Sequence, residues 1–233
     1  MLLMDTERLA REFNEKGCLV LEGFYEAAAL EAVGQAVKNH YASAPAQVKA
    51  DNFSQFETFT DPWVPESAEL GPFVELQNDA RLRSLTESVL GGPYAEVFPL
   101  MMQTRPGTGQ AWHQDTQSHD PKKYVLNRIV YPLASPPGAG GLYCVPGSHR
   151  MGRIPRGPSQ ESLPGELRLH PKPGTLVLLH SFCFHRVSLN ESQGCRYSVN
   201  LRCRPLSSPE NYDNIGIYRN AGYDFRNQRV VDV

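Results

Sequence analysis

The sequence predicts a mainly β protein, a sandwich or jelly roll entered through a helical N-terminal part. Three observations carry this. From residue 95 onward, short apolar segments recur between turns built on Pro106-Gly107, Pro136-Pro137-Gly138, Pro146-Gly147 and Pro173-Gly174. Helical periodicity is confined to the part before them. Hydrophobic residues make up 40% of 233 residues, enough to fill one core of that size.

The elements follow in order. Asp5 is placed to cap a helix over residues 6–16, with Leu9 and Phe13 four apart on one face and Gly17 ending it. Cys18-Leu19-Val20-Leu21 reads as a short strand. A second helix, from about 26 to 41, carries Leu30, Val33 and Val37 at helical spacing. Residues 43–72 change character, with Pro45, Pro62, Pro65 and Pro72 among Phe53, Phe56, Phe59 and Trp63. Such a stretch is either a lid or a loop packed over the core. A third helix spans about 79–90 and is closed by Gly91-Gly92-Pro93. Strands are expected at 95–104, 109–115, 124–133, 141–145, 166–170, 175–180, 183–188 and 195–203. Neither an internal repeat nor a second domain is visible. One domain is therefore expected over 1–233: helical to about 94, a β core over about 95–205, and a terminal segment over 206–233.

Net charge is −2 and no basic block exceeds two residues, so neither a nucleic-acid footprint nor a polybasic membrane patch is present. Small molecules are the expected partners, with no nucleic acid and no membrane; nothing in the sequence speaks to oligomeric state. No apolar run approaches a membrane span, and Met1-Leu2-Leu3-Met4 meets Asp5 too early for a signal peptide. Five cysteines show no C-x-x-C spacing, and Cys144 and Cys183 sit in apolar runs; a reduced, cytoplasmic setting is expected.

The chemistry concentrates in His113-Gln114-Asp115, followed 72 residues later by His185 and 11 further on by Arg196. Two imidazoles and one carboxylate are a ligand set for non-haem Fe(II) that leaves coordination positions open. An arginine beyond the second histidine supplies a rigid fork for a carboxylate. A histidine–acid pair at this spacing arises about once by chance in such a chain, so the dipeptide alone also fits an acid that merely orients a histidine on a loop. In an extended segment His113 and Asp115 share a face, as two ligands of one ion must. Residues 175–180 are apolar on both faces, the pattern of a buried strand, and His185 follows it. Arg196, Ser198, Asn200 and Arg202 then alternate with Tyr197, Val199, Leu201 and Cys203. That polar face is either the solvent face or, because the strand runs back from His185, a site face. Of the other histidines, His119 and Asp120 are adjacent and face opposite ways. His180, five before His185, faces the opposite side of a regular strand. His149 and His170 lie in turns, and His40 in the helical part.

Four segments resemble the phytanoyl-CoA dioxygenase family of Fe(II)/2-oxoglutarate oxygenases. Trp112-His113-Gln114-Asp115 is similar to the family's first metal motif. Gly140-Gly141-Leu142-Tyr143-Cys144-Val145-Pro146-Gly147-Ser148-His149-Arg150 is similar to its glycine-led strand and following turn. Gly174-Thr175-Leu176-Val177-Leu178-Leu179-His180, ending at His185, resembles the strand before the second histidine, although Thr175 stands where Asp is usual. Arg196 falls at the family's cosubstrate arginine. Phe13, Gly17, Leu19-Val20-Leu21 and Gly23-Phe24 resemble its opening.

The resemblance implies a double-stranded β-helix in which His113, Asp115 and His185 bind Fe(II). In that reading 2-oxoglutarate chelates the iron and pairs its 5-carboxylate with Arg196, assisted by Ser198. Dioxygen is consumed, succinate and CO2 are released, and a C–H bond of a small molecule is oxidised, most simply by hydroxylation. Gln103 and Asn127 are read either as further contacts to the oxoacid or as ordinary strand residues. Phe56 and Trp63, in a lid over 51–66, and Gln117 at the mouth are candidate substrate contacts, with Lys123 beside Gln117 adding polar selectivity and with the loop after Asp115 and the segment around Tyr212–Tyr223 completing the closure. Two alternatives stay open: a metal-dependent cupin-type isomerase or hydrolase without 2-oxoglutarate, and a non-catalytic small-molecule-binding jelly roll. Arg196 argues against the first and the intact ligand set against the second.

Overall fold

Two antiparallel sheets face one another and helices cover the outer face of the larger. The computed structural model describes residues 4–43, 61–116, 118–120, 122–155 and 160–207, together with strands at 214–218, 221–224 and 229–232.

The helices begin and end where the sequence places caps. Helix α1 (Thr6–Lys16) starts where Asp5 Oδ1 accepts the Arg8 N–H at 2.9 Å and stops at Gly17, which takes a left-handed φ of 72° and donates to Phe13 O. Strand β1 (Cys18–Leu21) follows, then α2 (Ala27–Ser43), which buries Leu30, Val33 and Val37. Helix α4 (Ala80–Leu90) is capped by Asp79 and ended by Gly91 at a φ of 70°. The stretch expected to be loop contains β2 (Asp61–Trp63) and a short 3-10 helix (Ser67–Glu69), and α3 (Gly71–Gln77) begins at its end, opened by Pro72 in its first turn. Trp63 is buried, its ring stacked on His40 at 3.8 Å between centroids and edge-on to Tyr41 and Phe73.

The large sheet also contains β3 (Tyr94–Thr104), β5 (Leu126–Val130), β8 (Leu176–His180) and β10 (Arg196–Pro205), in the order β1-β8-β5-β10-β3-β2. The small sheet contains β4 (Gln110–His113), β6 (Leu142–Cys144), β7 (Leu167–Leu169) and β9 (His185–Val187), in the order β4-β9-β6-β7. Every expected strand from 95 to 203 is present, several of them shorter than expected. Residues 214–218, 221–224 and 229–232 pair into a three-stranded antiparallel sheet that the sequence did not announce.

Strand β8 shows how the core is divided. Leu176 and Leu178 join Met101, Leu126, Val199 and Leu201 against the helices, while Val177 and Leu179 pack inward with Leu142 and Cys144 of the small sheet. Both faces are buried, hence its unbroken apolar run. Gly141 is required where the strands crowd, since a Cβ there would stand 2.2 Å from Leu169 O. Among the described residues no helix is long and apolar enough to cross a membrane. The fold therefore leaves one polar surface enclosed between the sheets, the inner face of β5 and β10, opposite the ends of β4 and β9.

Candidate metal centre

His113 ends β4, His185 begins β9, and the two are register partners across that antiparallel pair, with ring centroids 4.2 Å apart. Asp115 lies beyond the end of β4 in a bend, where its N–H donates to Ser181 O at 2.8 Å. The strand is thus shorter than the expected 109–115, yet the three side chains converge. One ligand atom from each of His113, Asp115 and His185 lies within 4.8 Å of the others. His113 Nε2 is 3.4 Å from Asp115 Oδ1, and His185 Nε2 is 3.8 Å from Asp115 Oδ2.

Hydrogen bonds on the far side of each ring select the useful tautomer. His113 Nδ1 meets Ala111 O at 2.7 Å and His185 Nδ1 meets Cys183 O at 2.9 Å. A carbonyl accepts only, so both Nδ1 atoms carry the proton and both Nε2 lone pairs face Asp115. Burial, aided by the neighbouring His113, lowers the His185 pKa to about 4, so this ring is neutral at ordinary pH. Burial also works to lower His113, but in the protonated ring Nε2–H would donate to Asp115, and that bond with the charge of Asp115 outweighs burial and raises the pKa. For Asp115 burial disfavours the charge, and Arg202, His185 and His113 together overcome it and hold the carboxyl far below the usual range. Two imidazole lone pairs and one ionised carboxylate oxygen on one side of a small space suit a divalent cation.

The surroundings anchor this set. Gln114, between the two ligands, points the other way: its amide donates to Gly152 O and Phe182 O and accepts from Ile154 N. It ties the His113 strand to the chain preceding His185. Ser148, in the turn after β6, accepts from Phe184 N at 2.7 Å and donates to Val145 O at 2.6 Å. Asp115 Oδ2 accepts from Arg202 Nη2 at 3.2 Å and from Asn127 Nδ2 at 3.0 Å.

Arg196 is 3% exposed on β10, on the face that also carries Ser198, Asn200 and Arg202. Its Nη2 donates to Thr104 Oγ1 at 3.3 Å, and the Tyr131 ring lies 5.8 Å from its guanidinium carbon. Among the described residues its Nε and Nη1, both buried, have no hydrogen-bond partner. A buried cation with two unpaired donors is a receptor for an anion.

Other expected residues are placed differently. Gln103, read as a contact to the oxoacid, pairs with Tyr197 on the opposite face of the sheet, and its amide donates to Tyr197 Oη at 3.2 Å. Its neighbours on that face, Met101 and Val199, belong to the core beneath the helices, so the strand's alternation turns Gln103 away from Arg196. Asn127 does face the site, but toward Asp115. Trp63 belongs to the helical core and not to a lid. Phe56 and Gln117 lie outside the described residues, as do 51–60 of the expected lid and Tyr212; at 214–218 and 221–224 only the backbone is described. His180 is stacked on Tyr124 at 4.4 Å between centroids, apart from the convergent set. Sequence reasoning missed Thr104 and Tyr131 beside Arg196, and it placed Arg202 on the right face without a partner.

Comparison with known proteins follows the same lines. The family model for phytanoyl-CoA dioxygenase matches residues 13–198. No curated protein matches the chain. Among solved structures, the non-haem α-ketoglutarate-dependent epimerase SnoN from nogalamycin biosynthesis is 18% identical with a TM-score of 0.66, over 92% of this chain and 90% of that one. HygX from Streptomyces hygroscopicus, solved with nickel and 2-oxoglutarate, is 17% identical with a TM-score of 0.65, over 85% and 87%. EvdO2 from Micromonospora carbonacea var. aurantiaca, complexed with 2-oxoglutarate, is 18% identical with a TM-score of 0.63, over 88% and 94%. At such identities the likeness shows a shared fold, the jelly roll.

Proposed function

The chain belongs to the phytanoyl-CoA dioxygenase family, and from that premise we propose that it is an Fe(II)- and 2-oxoglutarate-dependent oxygenase that hydroxylates a C–H bond of a small molecule. His113, Asp115 and His185 would hold the iron. When bound, iron and 2-oxoglutarate supply activation of dioxygen coupled to decarboxylation, with succinate and CO2 as products.

The protein's own part in this is binding, orientation and charge. The two Nε2 lone pairs are aimed by Ala111 O and Cys183 O, and the Asp115 carboxylate is kept ionised by Arg202. Arg196 would take the distal carboxylate of the oxoacid, with the Ser198 hydroxyl beside it.

The observation that carries the reading is the pair of unpartnered, buried donors on Arg196, on the same face as the residues that hold Asp115. An unpaired buried guanidinium is costly, and a dicarboxylate cosubstrate relieves that cost on binding. Solved structures of this fold that carry 2-oxoglutarate, two of them with a metal as well, support the same reading. SnoN is described as an epimerase, so the fold hosts outcomes other than hydroxylation. The test is a screen of candidate small molecules with Fe(II) and ascorbate, following 2-oxoglutarate consumption, succinate release and the mass of the product. A gain of one oxygen atom in the product, with one succinate per turnover, is expected. An oxidised product of unchanged oxygen content would assign a different outcome to the same site.

A further inference from the structure

We infer that Asn200 is a specificity-determining residue whose side-chain oxygen accepts a hydrogen bond from the substrate, so that the substrate carries a hydroxyl or an amine close to the carbon that is oxidised. The inference rests on the function proposed above and narrows its substrate class.

The metal ligand dictates the direction of each amide beside it. Asp115 is held ionised and its Oδ2 only accepts, so the Asn127 group 3.0 Å from it is the NH2. Asn127 Oδ1 is then the acceptor on the other side, and the Asn200 group 2.8 Å from it is again the NH2. The relay ends at Asn200 Oδ1, which can only accept. Among the described residues that oxygen has no hydrogen-bond partner, although Asn200 is only 7% exposed.

Nothing around it supplies a donor. Asn200 lies on β10 between Ser198 and Arg202, on the polar face enclosed between the sheets, with Arg196 farther along the same face. Its register partners are Leu100 on β3 and Ile129 on β5, hydrocarbon side chains on both flanks. The oxoacid cannot serve it either, because a dicarboxylate with a keto group carries acceptors alone. A buried amide oxygen left without a donor is costly, and a substrate O–H or N–H removes that cost on binding. A site built in this way discriminates most sharply against an analogue of the same shape that lacks the donor.

The test uses the full chain loaded with Mn(II) and 2-oxoglutarate. Its probes are a panel of alcohols and amines, each paired with the ketone of the same skeleton, beginning with cyclohexanol and cyclohexylamine against cyclohexanone. The ketone keeps the shape and lacks the donor. Mn(II) is paramagnetic, so the relaxation of probe protons reports binding beside it. At least one alcohol or amine is expected to bind on the order of tenfold more tightly than its ketone, and Asn200→Leu is expected to bind the two alike. Equal or absent binding throughout the panel, or a preference that persists in Asn200→Leu, overturns the inference. The 2-oxoglutarate protons in the same samples keep the two readings apart: failure of Mn(II) to relax them in the wild type overturns the proposed function itself. Should Asn200→Leu fail to fold, a crystal structure of the wild type with the tightest probe decides. Its hydroxyl or amine within hydrogen-bond distance of Asn200 Oδ1 supports the inference, and a probe that leaves that oxygen to water overturns it.

Discussion

Arg202 Nη2 stands 3.2 Å from Asp115 Oδ2, across 87 residues of chain. The acid of the ligand set is therefore part of a buried ion pair before any metal arrives. The pair keeps the carboxylate ionised in a place where burial disfavours charge, so the site is prepared for a cation instead of being assembled by one. A second arginine on the same strand face, Arg196, keeps two donors unpaired for an anion. One cation pairs with the acid of the ligand set; the other, in the function proposed here, would meet the cosubstrate.

His185→Ala is expected to abolish turnover and to weaken divalent-metal binding by at least an order of magnitude while the fold survives, since one of three ligands is lost. His180→Ala is expected to leave metal binding unchanged. Calorimetric titration of Mn(II) into both variants checks this, and loss on His180→Ala with retention in His185→Ala would show the wrong histidine had been chosen.

Arg196→Ala should weaken 2-oxoglutarate binding by about 2–5 kcal/mol, on the order of 30-fold or more, because a charge-assisted, buried contact is cut. Metal affinity should hardly move. Lys at this position should rescue only in part, having lost the fork that Thr104 and the ligand share. Equal 2-oxoglutarate affinity in wild type and Arg196→Ala would refute the assignment.

Gln103→Ala should cost stability alone. Its amide serves Tyr197 on the helix-covered face, so about 1 kcal/mol is expected from the lost hydrogen bond, with cosubstrate affinity intact. Thermal denaturation and 2-oxoglutarate titration of the same variant separate the two effects; a drop in affinity would return Gln103 to the site.

His180 should make the metal-free protein acid-sensitive. Burial lowers its pKa to about 3, and its Nδ1 accepts the Phe182 N–H at 3.1 Å, so the folded state holds it neutral. Below the ordinary histidine value of about 6.5 the unfolded chain takes up a proton that the folded chain refuses. Stability present above pH 6.5 is therefore lost as pH falls toward 3, by up to about 1.4 kcal/mol per pH unit. His180→Gln keeps an acceptor without that proton. The difference in denaturation free energy between wild type and variant should change with pH across this window, and a constant difference would contradict the account.

The sequence made legible what depends on period and local chemistry. Caps at Asp5 and Asp79, glycine stops at Gly17 and Gly91 and the doubly buried β8 follow from short-range rules, while the set His113, Asp115 and His185 was read from motifs that resemble the family's. Less legible was what depends on register and partner. The expectation for Gln103 failed because Leu100-Met101-Met102-Gln103 does not alternate cleanly, so polarity alone could not say which face it takes. Arg202 was placed on the site face by alternation, but its partner lies in a bend 87 residues away. Helix α3 has seven residues, too few for a periodic signal, and sits among prolines that read as loop. Trp63 looked like lid surface because its stacking partner, His40, comes from another element.

The most direct test of the central claim is calorimetric titration of 2-oxoglutarate into the full chain, with and without Mn(II) in place of the oxygen-sensitive Fe(II). The account predicts one binding event per chain that requires the metal, because the oxoacid is held by the ion at one end and by Arg196 at the other. Absence of binding to the metal-loaded protein, or binding of equal strength without metal, would contradict it.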